Sequence, residues 1–283
     1  MKLLLPGAVF ILMVSVGMSL KLPELVSNWR QLTWATWIRL VLATFIVPAL
    51  AALILARVFF LTLPETGALF MVGATPGAPL LTRNLARRGF DMQLAASYQV
   101  WCGALTPIFI PVMLWAAAKL YSRSIWIPPR VLLLQIVEKE FLPLLVGMML
   151  MRLAPVFSKK AQRGMNMLGN LVLTLVFVLL LWKMRADLAT VTPWIVLATF
   201  ILMVASIVAM HLLLRADRII VRTLAVSNAN RHVGLALLLM NRFKSSHQAL
   251  PVIACYAILV AIFLVVAPRI FRPQELAAQK ASA

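Results

Sequence analysis

Two short polar stretches interrupt long apolar ones, and they carry the side chains with chemistry to offer. The first is Thr75-Pro76-Gly77-Ala78-Pro79; the second is Ser227-Asn228-Ala229-Asn230-Arg231-His232. Arg231 is the most telling of these residues. A guanidinium stays charged in essentially any protein environment, and at membrane depth such a charge marks a function or a fixed partner. It fits an anionic ligand, or a core carboxylate with which it simply pairs. His232 has an unperturbed pKa of about 6.5, so proton coupling is chemically open to it; the alternative is a neutral ring bonded to loose backbone. Thr75, Gln99, Ser227, Asn228 and Asn230 add neutral hydrogen-bonding groups at or near the interruptions, which either contact a ligand or only satisfy broken backbone. Glu140, in the run Glu138-Lys139-Glu140, either pairs inward with a cation such as Arg231 or lies with its neighbours at a membrane interface.

The elements that hold these residues are membrane helices. The chain has 283 residues, 63% of them hydrophobic and 12% charged, against about 25% charged in soluble domains; its mean hydropathy is +0.97. Apolar segments fall at about 3–20, 36–59, 66–88, 93–118, 130–152, 165–183, 190–213, 219–241 and 249–270. Each is near the 20 or so residues that cross a hydrocarbon core of about 30 Å. The polar stretches break the third (66–88) and the eighth (219–241). Lipid gives a freed backbone no hydrogen-bond partner, so such breaks survive only where protein or a wet cavity surrounds them. A break in each half of the chain points to the binding site of a secondary transporter.

Other classes are disfavoured. The net charge of +19 has no folded polar surface to display it to nucleic acid and is better explained by basic loops. There is no P-loop, no dinucleotide fingerprint and no His/Cys cluster with metal spacing, so neither a cofactor nor ATP-driven transport is expected. Cys102 and Cys255 fall inside apolar segments and read as packing residues. Ser227 and His232 are five apart, off the i, i+4 face a nucleophile and base would share on a regular helix, and an enzyme is not expected. The first segment, with Lys2 ahead of it, also resembles a secretory signal, but it runs on smoothly towards the second. Sixteen basic residues lie on one side of the expected topology and nine on the other, which places the N-terminus outside and the C-terminus in the cytoplasm. Trp29, Trp34 and Trp37 suit an interfacial belt, or a core.

Several residues together resemble the bile acid:sodium symporter family. They are Val16-Gly17-Met18-Ser19-Leu20, Pro76-Gly77, Asp91, Leu94 and Leu105, the prolines Pro107 and Pro111, Pro143 and Gly147, and Gly234-Leu235-Ala236. The resemblance implies an all-α polytopic membrane protein with two inverted repeats and two broken, crossing helices. The first repeat would be 1–120 with about four spans, the second 130–270 with about five, and 271–283 a cytoplasmic tail. Spans two to four and seven to nine would form the core, and spans one, five and six a flanking panel. It further implies a carrier in a bacterial inner membrane, working by alternating access on an organic anion such as a monocarboxylate or sterol acid.

The chain departs from the family where sodium binds. The family's Ser-Asn pair reads Leu81 and Thr82, its helix-four Ser and Thr read Ala95 and Gln99, and its Glu and Gln at the second break read Ser227 and Arg231-His232. Sodium could still bind near Gln99, Ser227 and Asn228, giving a sodium-coupled symporter with displaced ligands. The other expectation is a sodium-independent carrier in which Arg231 is a tethered cation. A sensor or scaffold that binds ligand without moving it is the remaining reading. The expected partners are the organic anion and the lipid bilayer, with the oligomeric state open; Thr75, Pro76, Gly77, Gln99, Glu140, Ser227, Asn228, Asn230, Arg231 and His232 are the candidate contacts.

Overall fold

In a computed structural model of the chain, the described residues are 4–19, 33–77, 90, 92–121, 130, 134, 137–183, 191–240 and 246–270. Among them the regular elements are all helices, with no strand. In chain order we label them α1 (Leu4–Ser19), α2 (Trp34–Val58), α3 (Leu63–Ala74), α4 (Met92–Tyr121), α5 (Leu142–Leu153), α6 (Pro155–Lys183), α7 (Pro193–Leu213), α8 (Arg218–Ala229), α9 (Val233–Met240) and α10 (Ser246–Ile270). Among the described residues four helices are long and apolar enough to cross a membrane: Trp34–Val58, Ser97–Lys119, Pro193–Leu213 and Ala249–Ala267. These indicate an integral membrane protein. Among the described residues α3 and α8 have 12 residues each, too short to cross a core of about 30 Å at 1.5 Å per residue.

Local chemistry sets the helix ends. Thr62 and Glu65 form a capping box at the start of α3, with Glu65 Oε2 accepting from Thr62 N at 2.7 Å. Pro193 opens α7 at a position where its missing N–H costs nothing. Inside α2 the geometry changes: Leu42–Ile46 is a π-helical turn, and Val47 N donates to Leu42 O five residues back. The Ala43 carbonyl thereby loses its usual donor, and Pro48 has no N–H to give Thr44 O. A second π turn, Val137–Phe141, likewise precedes a proline, Pro143.

The helices pack in two groups. One consists of α2, α3, α4 and α7 to α10, which surround the main buried core. The other consists of α1, α5 and α6, with sparse contacts to the first. Glycines permit the closest approaches. A Cβ on Gly147 of α5 would lie 2.9 Å from Gly17 Cα and Met18 N of α1; one on Gly73 of α3 would lie 2.7 Å from Pro48 O of α2.

Candidate functional site

The second break is shorter than the sequence implies. Helix α8 continues through Ala229, so Ser227 and Asn228 lie in its last turn and the interruption is Asn230-Arg231-His232. The side chains explain why α8 persists: Ser227 Oγ donates to Thr223 O one turn back at 2.7 Å, and the Asn228 amide bonds outward to other helices. Past the break, His232 starts α9. Its Nδ1 accepts from Leu235 N at 3.0 Å, and its carbonyl accepts from Ala236 N at 3.0 Å. An Nδ1 that accepts carries no proton, so the neutral ring holds its proton on Nε2.

The first break begins where α3 stops. Thr75 is fully buried; its Oγ1 donates to Met71 O at 2.8 Å, and its amide donates to the same carbonyl at 3.0 Å. Gly77 has φ +65°, the left-handed region open to glycine. It also packs on α4, where a Cβ would sit 3.2 Å from Cys102 Cβ and 3.8 Å from Gln99 Cα. The two breaks touch directly: His232 N donates to Thr75 O at 3.0 Å. A backbone group freed in one half of the chain is therefore satisfied by the other half.

Arg231 fills the space behind this crossing. The residue is 0% exposed and is the largest fully buried side chain among the described residues. Its Nη1 donates to Thr44 O at 2.8 Å, and its Nη2 donates to Ser206 Oγ of α7 at 3.2 Å. The charge is thus turned into protein, towards oxygens on two helices, rather than displayed on a surface. Among the described residues no carboxylate contacts it. Glu65 caps α3, and Glu138 and Asp217 are exposed; the Glu140 side chain lies outside the described residues. The negative ends of α3 and α8 both point at the crossing and favour a cation there.

A neutral network extends from Arg231. Asn228 Nδ2 donates to Ala43 O at 3.1 Å and to Ser206 O at 2.8 Å, while its Oδ1 accepts from Tyr98 Oη of α4 at 2.9 Å. Thr44 Oγ1 is 3.0 Å from the same tyrosine oxygen. Tyr98 has one proton, given to Asn228, so Thr44 is the donor in that pair. From α10, Tyr256 Oη donates to Ala229 O at 2.7 Å, closing the C-terminal end of α8. Trp37, Phe45, Trp101 and Phe109 pack as an aromatic wall beside Tyr98, with Phe45 and Phe109 stacked at 4.7 Å.

Of the sequence candidates, Thr75, Pro76, Gly77, Asn228, Asn230, Arg231 and His232 gather at the crossing, and Gln99 lies beside Gly77 on α4; all are buried. Ser227 is buried one turn before the break with its hydroxyl engaged on its own helix. Among the described residues no group of three or more His, Cys, Asp or Glu could hold a metal ion. Sequence reading missed Ala43, Thr44, Tyr98, Ser206 and Tyr256. Pro48, four residues after Thr44 in an apolar run, was the available signal for the first two. No family model matches the chain, and neither does any curated protein. The fold and site define a helical, integral membrane protein with a buried cation where the end of α3 meets the break between α8 and α9.

Proposed function

We propose that the chain is a secondary carrier for an organic anion, a monocarboxylate or sterol acid, in which Arg231 replaces a dissociable sodium ion. The observation that carries this reading is the setting of Arg231. A permanent charge lies fully buried against a π-turn carbonyl and a serine hydroxyl, with no carboxylate in contact among the described residues. Carbonyl and hydroxyl oxygens are the donors a hard cation takes, and a guanidinium supplies the same charge without leaving. A merely structural ion pair needs a carboxylate partner.

The remaining features support the same reading. Interrupted helices that meet at a shared crossing are the construction of transporter sites. The separation into two packing groups supports the division into core and panel that the symporter resemblance implies. Asn228 Oδ1 and the Ser227 hydroxyl, offered by the sequence as sodium ligands, are engaged in hydrogen bonds within the protein.

Ligand-dependent thermal stability tests the proposal. Purified wild type and Arg231→Gln are screened against monocarboxylates and sterol acids, each in sodium and in choline buffer. An anion at a hundred times its dissociation constant stabilises the folded state by about 2.7 kcal/mol. The expected result is equal stabilisation of wild type in both buffers and none of the variant in choline. Stabilisation of wild type in sodium alone would overturn the tethered-cation reading and leave a sodium-coupled symporter.

A further inference from the structure

A cation that cannot dissociate changes what the carrier can do when empty. In a sodium symporter the ion leaves with the substrate, so the core returns without it. Arg231 is covalent and does not deprotonate. Its described contacts, Thr44 O, Ser206 Oγ and the Tyr256 hydroxyl, are neutral. Arg231 therefore contributes one positive charge to the core throughout the cycle. A bound monovalent anion cancels that charge; a divalent anion reverses it.

We infer that the protein exchanges monovalent anions one for one, and that the empty core reorients slowly. This rests on the carrier reading above. Two physical costs act on the empty core alone. A buried charge without its counter-ion sits in a medium of low dielectric, where desolvation is severe. The same charge also moves through the membrane field, and one elementary charge crossing 100 mV shifts an equilibrium by about 50-fold. The core loaded with a monoanion is free of both. Exchange then runs at a rate indifferent to membrane potential, whereas net uptake waits on a voltage-sensitive empty return. Divalent anions move as a net negative core and gain neither advantage.

Arg231 supplies the charge, and the Asn228–Tyr98–Thr44 network holds its acceptor in place without contributing a compensating anion. No proton need be taken up at the break either, because His232 Nδ1 is already committed to Leu235 N.

Proteoliposomes containing the full chain test the inference, with labelled pyruvate as the small monocarboxylate and labelled cholate as the amphipathic one. Each probe is offered to vesicles preloaded with the same unlabelled anion and to vesicles without it, with potential set by potassium and valinomycin. The expected result, for the probe that is carried, is uptake about tenfold or more faster into preloaded vesicles, at a rate unchanged by potential. Arg231→Gln should lose most of the preloading advantage, and its exchange should become voltage-dependent, because the loaded core then carries a net charge. Equal uptake into both kinds of vesicle overturns the exchange inference and leaves the carrier reading standing. Uptake of neither probe into either vesicle, with binding intact in the thermal assay, overturns both in favour of a sensor.

Discussion

Tyr98, Asn228 and His232 each make a hydrogen bond whose loss leaves a particular buried group unsatisfied. Removing the Tyr98 hydroxyl deprives Asn228 Oδ1 of its donor and Thr44 Oγ1 of its acceptor. A buried polar group left unsatisfied costs about 1–3 kcal/mol, so Tyr98→Phe should lower unfolding free energy by that amount in detergent micelles. An unchanged value would mean that water or a rotated side chain replaces the bond. His232 makes a sharper comparison. If Nδ1 acts as the cap of α9, His232→Asn should retain most of the stability, since asparagine is a good capping residue. His232→Ala should lose about 0.5–2 kcal/mol; equal losses in the two variants would contradict the capping role. At this scale the sequence revealed the polar side chains at the breaks, because polar groups in apolar runs are conspicuous. It did not reveal their partners. Ala43 O and Thr44 O are backbone atoms, made available by the displaced hydrogen bond of the π turn and by the missing N–H of Pro48 respectively.

Helix boundaries were legible to the extent that lipid determines them. Hydropathy placed the seventh segment at 190–213, and the helix is Pro193–Leu213, with proline at the first turn fixing its start. It placed the sixth at 165–183, whereas α6 begins at Pro155. The ten extra residues include Ser158, Lys159, Lys160, Gln162 and Arg163, polar enough to escape a hydropathy window yet able to continue a helix. The break after α8 was placed too early for a related reason: Ser227 and Asn228 are poor helix formers by propensity, but the Ser227 hydroxyl bonds its own helix, Asn228 bonds neighbouring helices, and both stay helical. Close packing between elements also makes a prediction. Gly147→Ala would drive a methyl group into backbone atoms of α1, which cannot rotate away as a side chain would. Overpacking of this kind costs about 1–3 kcal/mol. Gly103→Ala, on α4 with nothing within 4 Å of the added carbon, should be neutral or gain up to about 1 kcal/mol through helix propensity. Thermal midpoints of the two variants measured side by side would decide, and similar midpoints would mean that α1 and α5 are less closely held.

For the molecule as a whole, the class followed from composition, while the count of nine spans exceeded the four long apolar helices displayed among the described residues. Hydropathy treats an interrupted segment as one span; the structure divides 219–241 into two short helices. Orientation can be argued further from ring contacts. Phe59, just past α2, stacks on Trp194 at the start of α7 at 5.7 Å, so these helices run antiparallel. The pairs Trp37–Trp101 and Phe45–Phe109 advance together along α2 and α4, so those two run parallel. Arg39, Arg215, Arg218 and Arg222 therefore belong to one end of the core, and Arg57 and Lys119 to the other. By the positive-inside rule the excess of basic residues predicts that the first end faces the cytoplasm. Single cysteines at two exposed positions, Lys119→Cys and Arg215→Cys, introduced after Cys102 and Cys255 are replaced by serine, test this assignment in intact cells. A membrane-impermeant maleimide should label position 119 directly and position 215 only after permeabilisation. The reverse pattern would invert the topology, whereas an inside-negative potential pulls the buried Arg231 charge towards the cytoplasm in either orientation.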